Sequence, residues 1–242
     1  MLAALLLTGC AGGPGAVPGE ESATVAGQRV WCAGDGPAVV LVHGIGDDAS
    51  SAQWLEVERD LAEQARVCRH DRPGVGESPA PSRPGRGADD LDAELDAVVG
   101  HAAGDGRVVL VAHSFGGYPA RVYAARHPDR VAGLVLVDAL DPSVGVVQGT
   151  GASGLGSVAM ADEALDLADV EAVTAGVTEL PAGLPLVVLA RGEGGSAAWT
   201  AAQERLAALV ERAGVTVVDA GHQIPTEAPE AVVDAVRGLL PG

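Results

Sequence analysis

A serine, Ser114, lies between an apolar segment and two glycines in the sequence RVVLVAHSFGG. The apolar segment, residues 108–111, is continuous and too short for a helix, so it predicts a buried strand that ends close to the serine. Only small residues, Ala112 and Gly116, occupy the positions two before and two after it. A serine in this setting fits a sharp turn from strand to helix, where its hydroxyl can act as a nucleophile. Serine and glycine also begin helices for purely structural reasons, so the pattern alone leaves both interpretations open.

A serine hydroxyl is a poor nucleophile at neutral pH and needs a neutral imidazole to accept its proton. His222, in the sequence DAGHQIP near the end of the chain, is the histidine that we expect to act as this base. His113 directly precedes the serine in the predicted strand, where its side chain should point the opposite way. Three other histidines lie at the ends of predicted elements: His70, His101 and His127.

Three further motifs accompany the serine turn in a fixed order. They are HGIG at residues 43–46, DRPGVGES at residues 71–78 and DAGHQIP at residues 219–225. With them, residues 25–240 resemble the α/β-hydrolase family of serine hydrolases, and in particular its esterases and lipases. The usual turn in that family is GxSxG, and here Ala112 replaces the first glycine. The resemblance implies hydrolysis through an acyl-enzyme, a small cap over the site, and no cofactor.

The resemblance also assigns roles to residues of the two loops beside the serine. It implies that the backbone N–H groups of Ile45 and Phe115 stabilise the negatively charged oxygen of the intermediate. His43 is expected to brace the HGIG loop and not to act as the base. We interpret Asp71 and Arg72 as an ion pair that holds the second loop, with substrate binding by Arg72 as the alternative.

The acid is the position at which this chain departs from the family pattern. That pattern places an aspartate after the predicted strand at residues 186–190, but the expected position is Gly195 here. Some members of the family carry the acid after the preceding strand, where this chain has Asp138. We therefore expect Asp138 to orient His222, and Glu193 and Asp141 remain as alternatives.

Composition limits the possible partners. The chain has 242 residues, a net charge of −18, 48% hydrophobic residues and only 2% aromatic residues. The length fits one domain with a sizeable core. Nucleic acid is excluded as a partner because its phosphates would be repelled, and few aromatic rings are available to stack on bases or sugars. We expect a monomer that acts on a small-molecule ester-type substrate.

Strands alternate with helices along the chain, which predicts a doubly wound, mostly parallel sheet of the α/β class. Strands are predicted at residues 24–33 (one or two), 38–42, 66–70, 108–111, 131–137, 186–190 and 215–218, and helices at residues 54–65, 88–101, 116–126, 197–213 and 227–240. Residues 141–182 are rich in Gly, Ser, Ala and Val and interrupt this alternation. They have the place and size of the cap.

The first ten residues, MLAALLLTGC, resemble the end of a bacterial lipoprotein signal, in which the cysteine is lipidated. A positively charged start is missing, so a disordered apolar leader is the alternative. Residues 11–23 are rich in Gly and Pro and predict a flexible linker, with the hydrolase domain over residues 24–242. We expect export, with a lipid anchor at Cys10 on the outer face of a bacterial cell membrane, or secretion. Such an anchor would be the only membrane contact.

The two other cysteines, Cys32 and Cys68, both lie on predicted strands near the start of the sheet. An exported protein meets oxidising conditions, so we predict a disulfide between them, with two buried thiols as the alternative. The sequence has no CxxC pair and no HExxH motif, and it therefore predicts no metal site.

Three functions remain after these arguments. The first is hydrolysis of a carboxylic ester-type bond. The second is the chemistry of a cofactor-free haloperoxidase or a C–C bond hydrolase of the same fold. The third is ligand binding without catalysis by a protein that kept the fold. Because the nucleophile is a serine and not an aspartate, opening of haloalkanes or epoxides through an alkyl-enzyme ester is disfavoured.

Overall fold

A computed structural model describes residues 17–49, 52–145 and 162–241. Its centre is a sheet whose strands, in chain order, are β1 (Glu21–Val25), β2 (Gln28–Ala33), β3 (Ala38–Val42), β4 (Arg66–Asp71), β5 (Val108–His113), β6 (Val131–Val137), β7 (Leu186–Arg191) and β8 (Val215–Val218). The strands lie side by side in the order β1-β2-β4-β3-β5-β6-β7-β8. Strand β2 runs antiparallel to both of its neighbours, and the other pairs are parallel. The predicted α/β class and mostly parallel sheet are confirmed.

Helices cover both faces of this sheet, which is why its central strands are apolar throughout. The helices are α1 (Ala52–Leu61), α2 (Ala88–Ala103), α3 (Gly117–Arg126), α4 (Leu167–Ala175), α5 (Ala197–Ala207), α6 (Ile224–Glu227) and α7 (Pro229–Arg237). Helices α2, α3 and α5 pack on one face of the sheet, where their buried side chains include Leu95, Tyr123 and Leu206. Helices α1 and α7 pack on the other face, where their buried side chains include Trp54 and Val232. The sheet is therefore doubly wound, as predicted.

The ordered fold begins earlier than the boundary that we predicted at residue 24. Strand β1 starts at Glu21, whose carboxylate accepts a hydrogen bond from Arg66 Nη2 at 2.7 Å. The carboxylate of Glu20 pairs with the buried guanidinium of Arg69. These ion pairs fix residues that composition assigned to the flexible linker.

Three predicted helices end or begin at clearly different residues in the structure. The helix expected over residues 54–65 is α1, which spans Ala52–Leu61. The helix expected over residues 197–213 ends at Ala207. The helix expected over residues 227–240 is α7, which starts at Pro229 after the separate one-turn helix α6. Proline lacks a backbone N–H and suits the first turn of a helix, so Pro229 marks a start and not an interior position.

Cys32 and Cys68 face each other across the antiparallel pair of β2 and β4 and form a disulfide. Both cysteines are buried. The register of the two strands places them directly opposite each other, so the bond follows from strand pairing. The predicted pairing is therefore present in the structure.

Several predicted features lie wholly or partly outside the described residues. They are the lipoprotein-type segment with Cys10, the first part of the linker, and residues 146–161 of the cap. In the described part of the cap, helix α4 packs on α3 and α2. None of the described helices has the length and apolar character needed to cross a bilayer.

Candidate active site

Ser114 lies in a sharp turn between β5 and α3. The turn is a single 3₁₀ turn, Ser114–Gly116, and Ser114 has a φ of +53°, in the left-handed region that non-glycine residues rarely adopt. A Cβ at Gly116 would lie 2.5 Å from the carbonyl oxygen of Val42, so only glycine fits there. The turn approaches the end of β3 closely, which explains why the sequence pattern requires a small residue at Gly116.

The structure brings Ser114, His222 and Asp138 together in one chain of hydrogen bonds. His222 Nε2 lies 3.0 Å from Ser114 Oγ, and His222 Nδ1 lies 2.5 Å from Asp138 Oδ2. A carboxylate only accepts hydrogen bonds, so Nδ1 carries the proton and Nε2 is free to accept the proton of the serine. Asp138 is completely buried, whereas the His222 side chain is 32% exposed. This arrangement can activate a serine for nucleophilic attack.

Asp138 reaches His222 because it turns sharply at the end of β6, where its φ is +42°. The two alternative acids have other surroundings. Asp141 Oδ1 accepts hydrogen bonds from Ser143 N at 3.0 Å and Arg205 Nε at 3.2 Å. Glu193 is exposed. Of the three predicted acids, Asp138 is the one whose carboxylate contacts the imidazole.

Two residues that the sequence analysis did not consider also contact Asp138. Its Oδ1 accepts hydrogen bonds from Arg191 N at 3.1 Å and from Trp199 Nε1 at 2.7 Å. Arg191 Nε lies 2.9 Å from Oδ2. A signal was available for Arg191, because it ends β7, and parallel neighbouring strands end at the same edge of a sheet.

His113 is buried behind the loop that carries His222. Its Nε2 donates a hydrogen bond to the backbone oxygen of His222 at 2.8 Å, and its Nδ1 accepts one from Gln53 Nε2 at 3.2 Å. Burial, and secondarily the nearby His222, lowers the pKa of His113 to about 3. His113 is therefore neutral at physiological pH and holds the loop of the expected base.

The HGIG loop passes directly beside the serine. A Cβ at Gly44 would lie 2.7 Å from Asp47 Oδ2 and 3.3 Å from the Cβ of Ser114, so glycine leaves room for these side chains. Ile45 follows in the turn after β3. Phe115 is in the first helical turn after β5, where backbone N–H groups have no partner within the helix and the helix dipole favours negative charge. The predicted pair of N–H donors thus belongs to two segments that meet at Ser114.

Arg72 holds the HGIG loop, but not through the ion pair that we predicted. Its guanidinium donates to the carbonyl oxygens of His43 and Gly44, both at 2.8 Å, and its Nε lies 2.7 Å from Glu163 Oε2. Arg72 and Glu163 are both buried. Glu163 was missed because it lies in the cap region, where the periodicity of the sequence is weak.

The predicted ion pair between Asp71 and Arg72 is wrong. Asp71 accepts hydrogen bonds from the backbone N–H groups of Ala49 at 2.6 Å and Glu77 at 2.7 Å. Consecutive residues at the end of an extended strand point to opposite sides, so Asp71 and Arg72 hold different loops.

His43 braces its loop, as the sequence predicts. Its Nδ1 lies 2.8 Å from the carbonyl oxygen of Gly44, and its Nε2 accepts a hydrogen bond from Arg72 N at 3.3 Å. Burial, and then the Arg72 charge, lowers the pKa of His43 well below its usual value. A neutral imidazole in this position suits a structural role.

An apolar cluster lies between the serine turn and the cap helix α4. It consists of Leu91, Phe115, Tyr118 and Val170, with Ile45, Leu140, Leu165 and Leu167 packed against it. Phe115, a member of the cluster, and Ile45, which packs against it, are the residues of the expected N–H donors. Across the described ranges, no group of three or more His, Cys, Asp or Glu side chains is arranged to hold a metal ion.

Comparison with known proteins identifies the fold. A family model described as alpha/beta hydrolase fold matches residues 37–155. The solved structure of an enol-lactonase from Burkholderia xenovorans is similar to this chain, with a TM-score of 0.66 and 20% sequence identity. The similar region covers 90% of this chain and 99% of that chain.

Three curated relatives match shorter stretches of sequence. An uncharacterised protein of Mycobacterium tuberculosis is 35% identical over 156 residues, which cover 60% of this chain and 43% of that protein. A 2-hydroxy-6-oxo-2,4-heptadienoate hydrolase of Pseudomonas putida is 36% identical over 117 residues, which cover 48% of this chain and 42% of that protein. A pimeloyl-(acyl-carrier protein) methyl ester esterase of Chromobacterium violaceum is 41% identical over 106 residues, which cover 43% of this chain and 37% of that protein. The matched regions thus span less than half the length of each relative. The sheet order, the turn at Ser114 and these matches together show that the chain has the α/β-hydrolase fold.

Proposed function

We propose that this protein is a serine hydrolase that cleaves a carboxylic ester-type bond through an acyl-enzyme intermediate. The observation that carries the proposal is the continuous hydrogen-bond chain from Ser114 Oγ through His222 to the buried Asp138. The strained left-handed backbone of Ser114 supports it further, because such strain persists mainly where function requires it.

In the proposed reaction Ser114 Oγ attacks the carbonyl carbon of the ester while its proton passes to His222 Nε2. The C=O electron pair moves onto the carbonyl oxygen, which the N–H groups of Ile45 and Phe115 stabilise. As the tetrahedral intermediate collapses, the bond to the alcohol oxygen breaks and His222 gives its proton to that oxygen. Water then repeats the sequence on the acyl-enzyme: His222 takes its proton, the acid is released and Ser114 is regenerated.

Asp138 contributes by holding His222 in the required tautomer. With Nδ1–H donated to Oδ2, the lone pair of Nε2 points to the serine hydroxyl. The carboxylate also stabilises the imidazolium that forms during each proton transfer.

A C–C bond hydrolase is the second candidate, because the matched Pseudomonas putida protein is a 2-hydroxy-6-oxo-2,4-heptadienoate hydrolase. The matched Chromobacterium violaceum protein is an esterase and favours the first candidate. Both reactions use a nucleophile and a general base, so the hydrogen-bond chain does not separate them. Product analysis with both kinds of substrate does.

The test uses the purified chain with a fluorophosphonate probe, a series of nitrophenyl esters of increasing acyl length, and a dienoate C–C cleavage substrate. We expect the probe to label Ser114 and the esters to be hydrolysed, with Ser114→Ala as the control that is neither labelled nor active. Turnover of the dienoate substrate in preference to every ester would favour the C–C hydrolase. A folded chain that is not labelled and turns over no substrate would favour a binding protein.

We also propose that the protein is exported and anchored by a lipid at Cys10. The disulfide between Cys32 and Cys68 supports export, because such bonds persist mainly in oxidising compartments. The native protein should partition into the detergent phase of an extraction, and Cys10→Ser should move it to the aqueous phase or block its processing. Recovery of an unprocessed protein from the cytosol would contradict this proposal.

A further inference from the structure

The carboxyl end of β7 carries an arginine beside the acid. The family pattern expects an aspartate a few residues after this strand, but here Arg191 ends β7 and Asp138 follows the neighbouring strand β6. Because β6 and β7 are parallel and paired, both residues lie at the same edge of the sheet. The arginine therefore meets the acid directly.

Each oxygen of Asp138 has two partners. Oδ1 accepts from Trp199 Nε1 at 2.7 Å and Arg191 N at 3.1 Å, while Oδ2 accepts from His222 Nδ1 at 2.5 Å and lies 2.9 Å from Arg191 Nε. Contacts on both oxygens prevent rotation of the carboxylate about its terminal torsion. One oxygen is thus kept toward the imidazole.

Arg191 and Trp199 also support each other and the base. The guanidinium carbon of Arg191 lies 4.0 Å from the centre of the Trp199 ring. The Trp199 ring meets the His222 ring edge to face, with centroids 5.8 Å apart and an interplanar angle of 89°. A fully buried carboxylate is costly unless it is paired, and the Arg191 cation supplies that pairing while His222 is neutral.

We propose that Arg191 and Trp199 are positioning residues that fix the Asp138 carboxylate for its interaction with His222. The proposal rests on the proposed function, since it assigns them to the same catalytic unit. Neither residue needs to touch the substrate. Two further titratable groups face this unit in the part of the chain that the structure describes. They are His113, whose ring centroid lies 4.7 Å from that of His222, and Asp47, which interacts electrostatically with His222.

The first experiment tests whether Trp199 acts through Asp138. Trp199→Phe keeps an aromatic ring but removes the N–H donor to the carboxylate. We expect kcat to fall roughly tenfold, as for a lost hydrogen bond to a charged group, with KM within about twofold. In an Asp138→Ala background the same change should cost no more than about twofold, because the carboxylate through which Trp199 acts is already gone. An equal loss in both backgrounds would mean that Trp199 is merely structural.

The second experiment tests the charge of Arg191. In Arg191→Met, the imidazolium of His222 no longer faces a cation, so the acidic limb of kcat/KM should move to higher pH by roughly one unit. Arg191→Lys should restore part of the wild-type profile. Arg205→Met is the matched control, because Arg205 lies on α5 with Trp199 but pairs with Asp141. A profile of Arg191→Met that superimposes on the wild type would overturn the proposal.

A readout without turnover separates this proposal from the proposed function. The proton shared by His222 Nδ1 and Asp138 should give a low-field resonance in the NMR spectrum of the wild-type protein. We expect that resonance to be lost or broadened in Trp199→Phe and Arg191→Met but retained in Arg205→Met. A chain that shows this pattern yet fails to label at Ser114 would retain the positioning roles and lose the hydrolase function. An unchanged resonance in both variants would reject the positioning roles even if the enzyme is active.

Discussion

His113 donates a hydrogen bond through Nε2 to the backbone oxygen of His222 at 2.8 Å. The residue before the serine thus holds the loop that carries the expected base. The two histidines are 109 positions apart in the sequence. This contact links β5 directly to the loop after β8.

The first prediction concerns this contact. His113→Phe removes the hydrogen bond to the backbone oxygen of His222. The loop that carries His222 should therefore lose its fixed position. We expect kcat to fall about tenfold and the free energy of unfolding to fall by about 1–3 kcal/mol. Steady-state kinetics and urea unfolding measure the two effects. Unchanged kcat in a destabilised variant would limit His113 to a role in folding.

The second prediction concerns stability at low pH. Burial, and then the Arg72 charge, lowers the pKa of His70 from 6.5 to about 3. Between these values the unfolded chain binds a proton at this residue that the folded chain does not bind. The free energy of unfolding should therefore decrease as pH falls through this window, with a contribution of up to about 1.4 kcal/mol per pH unit.

His70→Gln removes this contribution. Relative to its own value at pH 7, the variant should lose less stability than the wild type at each lower pH. Urea unfolding over the window measures both slopes. Parallel curves for the two proteins would show that His70 does not become protonated on unfolding in the way proposed.

The third prediction concerns cooperation between nucleophile and base. Ser114→Ala and His222→Ala should each remove nearly all turnover, on the order of 10⁶-fold by analogy with other serine triads. The double variant should be little worse than either single variant, because the two residues act as one unit. Rates of ester hydrolysis are the measurement. Losses that multiply would count against a shared unit.

The fourth prediction concerns the acid. Asp138→Asn should keep the fold but allow the wrong tautomer of His222, with a loss that approaches about 10⁴-fold. Glu193→Gln is the matched control at an exposed position and should retain activity within about twofold of the wild type. The assignment would be wrong if Asp138→Asn stayed within about tenfold of wild type while Glu193→Gln was inactive.

The sequence by itself determined the sheet, the serine turn and the principal residues of the candidate site. Continuous apolar segments define β3, β5 and β6 because buried parallel strands have no polar face. The small residues around Ser114 are a local requirement of the turn, so they are visible without any tertiary information. Asp138 could be selected because the resemblance to the α/β-hydrolase family implies an acid after β7 or after β6, and the expected position after β7 carries none.

Only the tertiary structure decided which side chains support these residues. Arg191 and Trp199 lie 53 and 61 positions from Asp138, and Glu163 lies 91 positions from Arg72. Such partners depend on strand order and on how the loops at one sheet edge pack, and neither leaves a periodic trace in the sequence. The interpretation of Asp71 and Arg72 failed for this reason: adjacent opposite charges suggested a pair, but an extended backbone turns the two side chains to opposite sides.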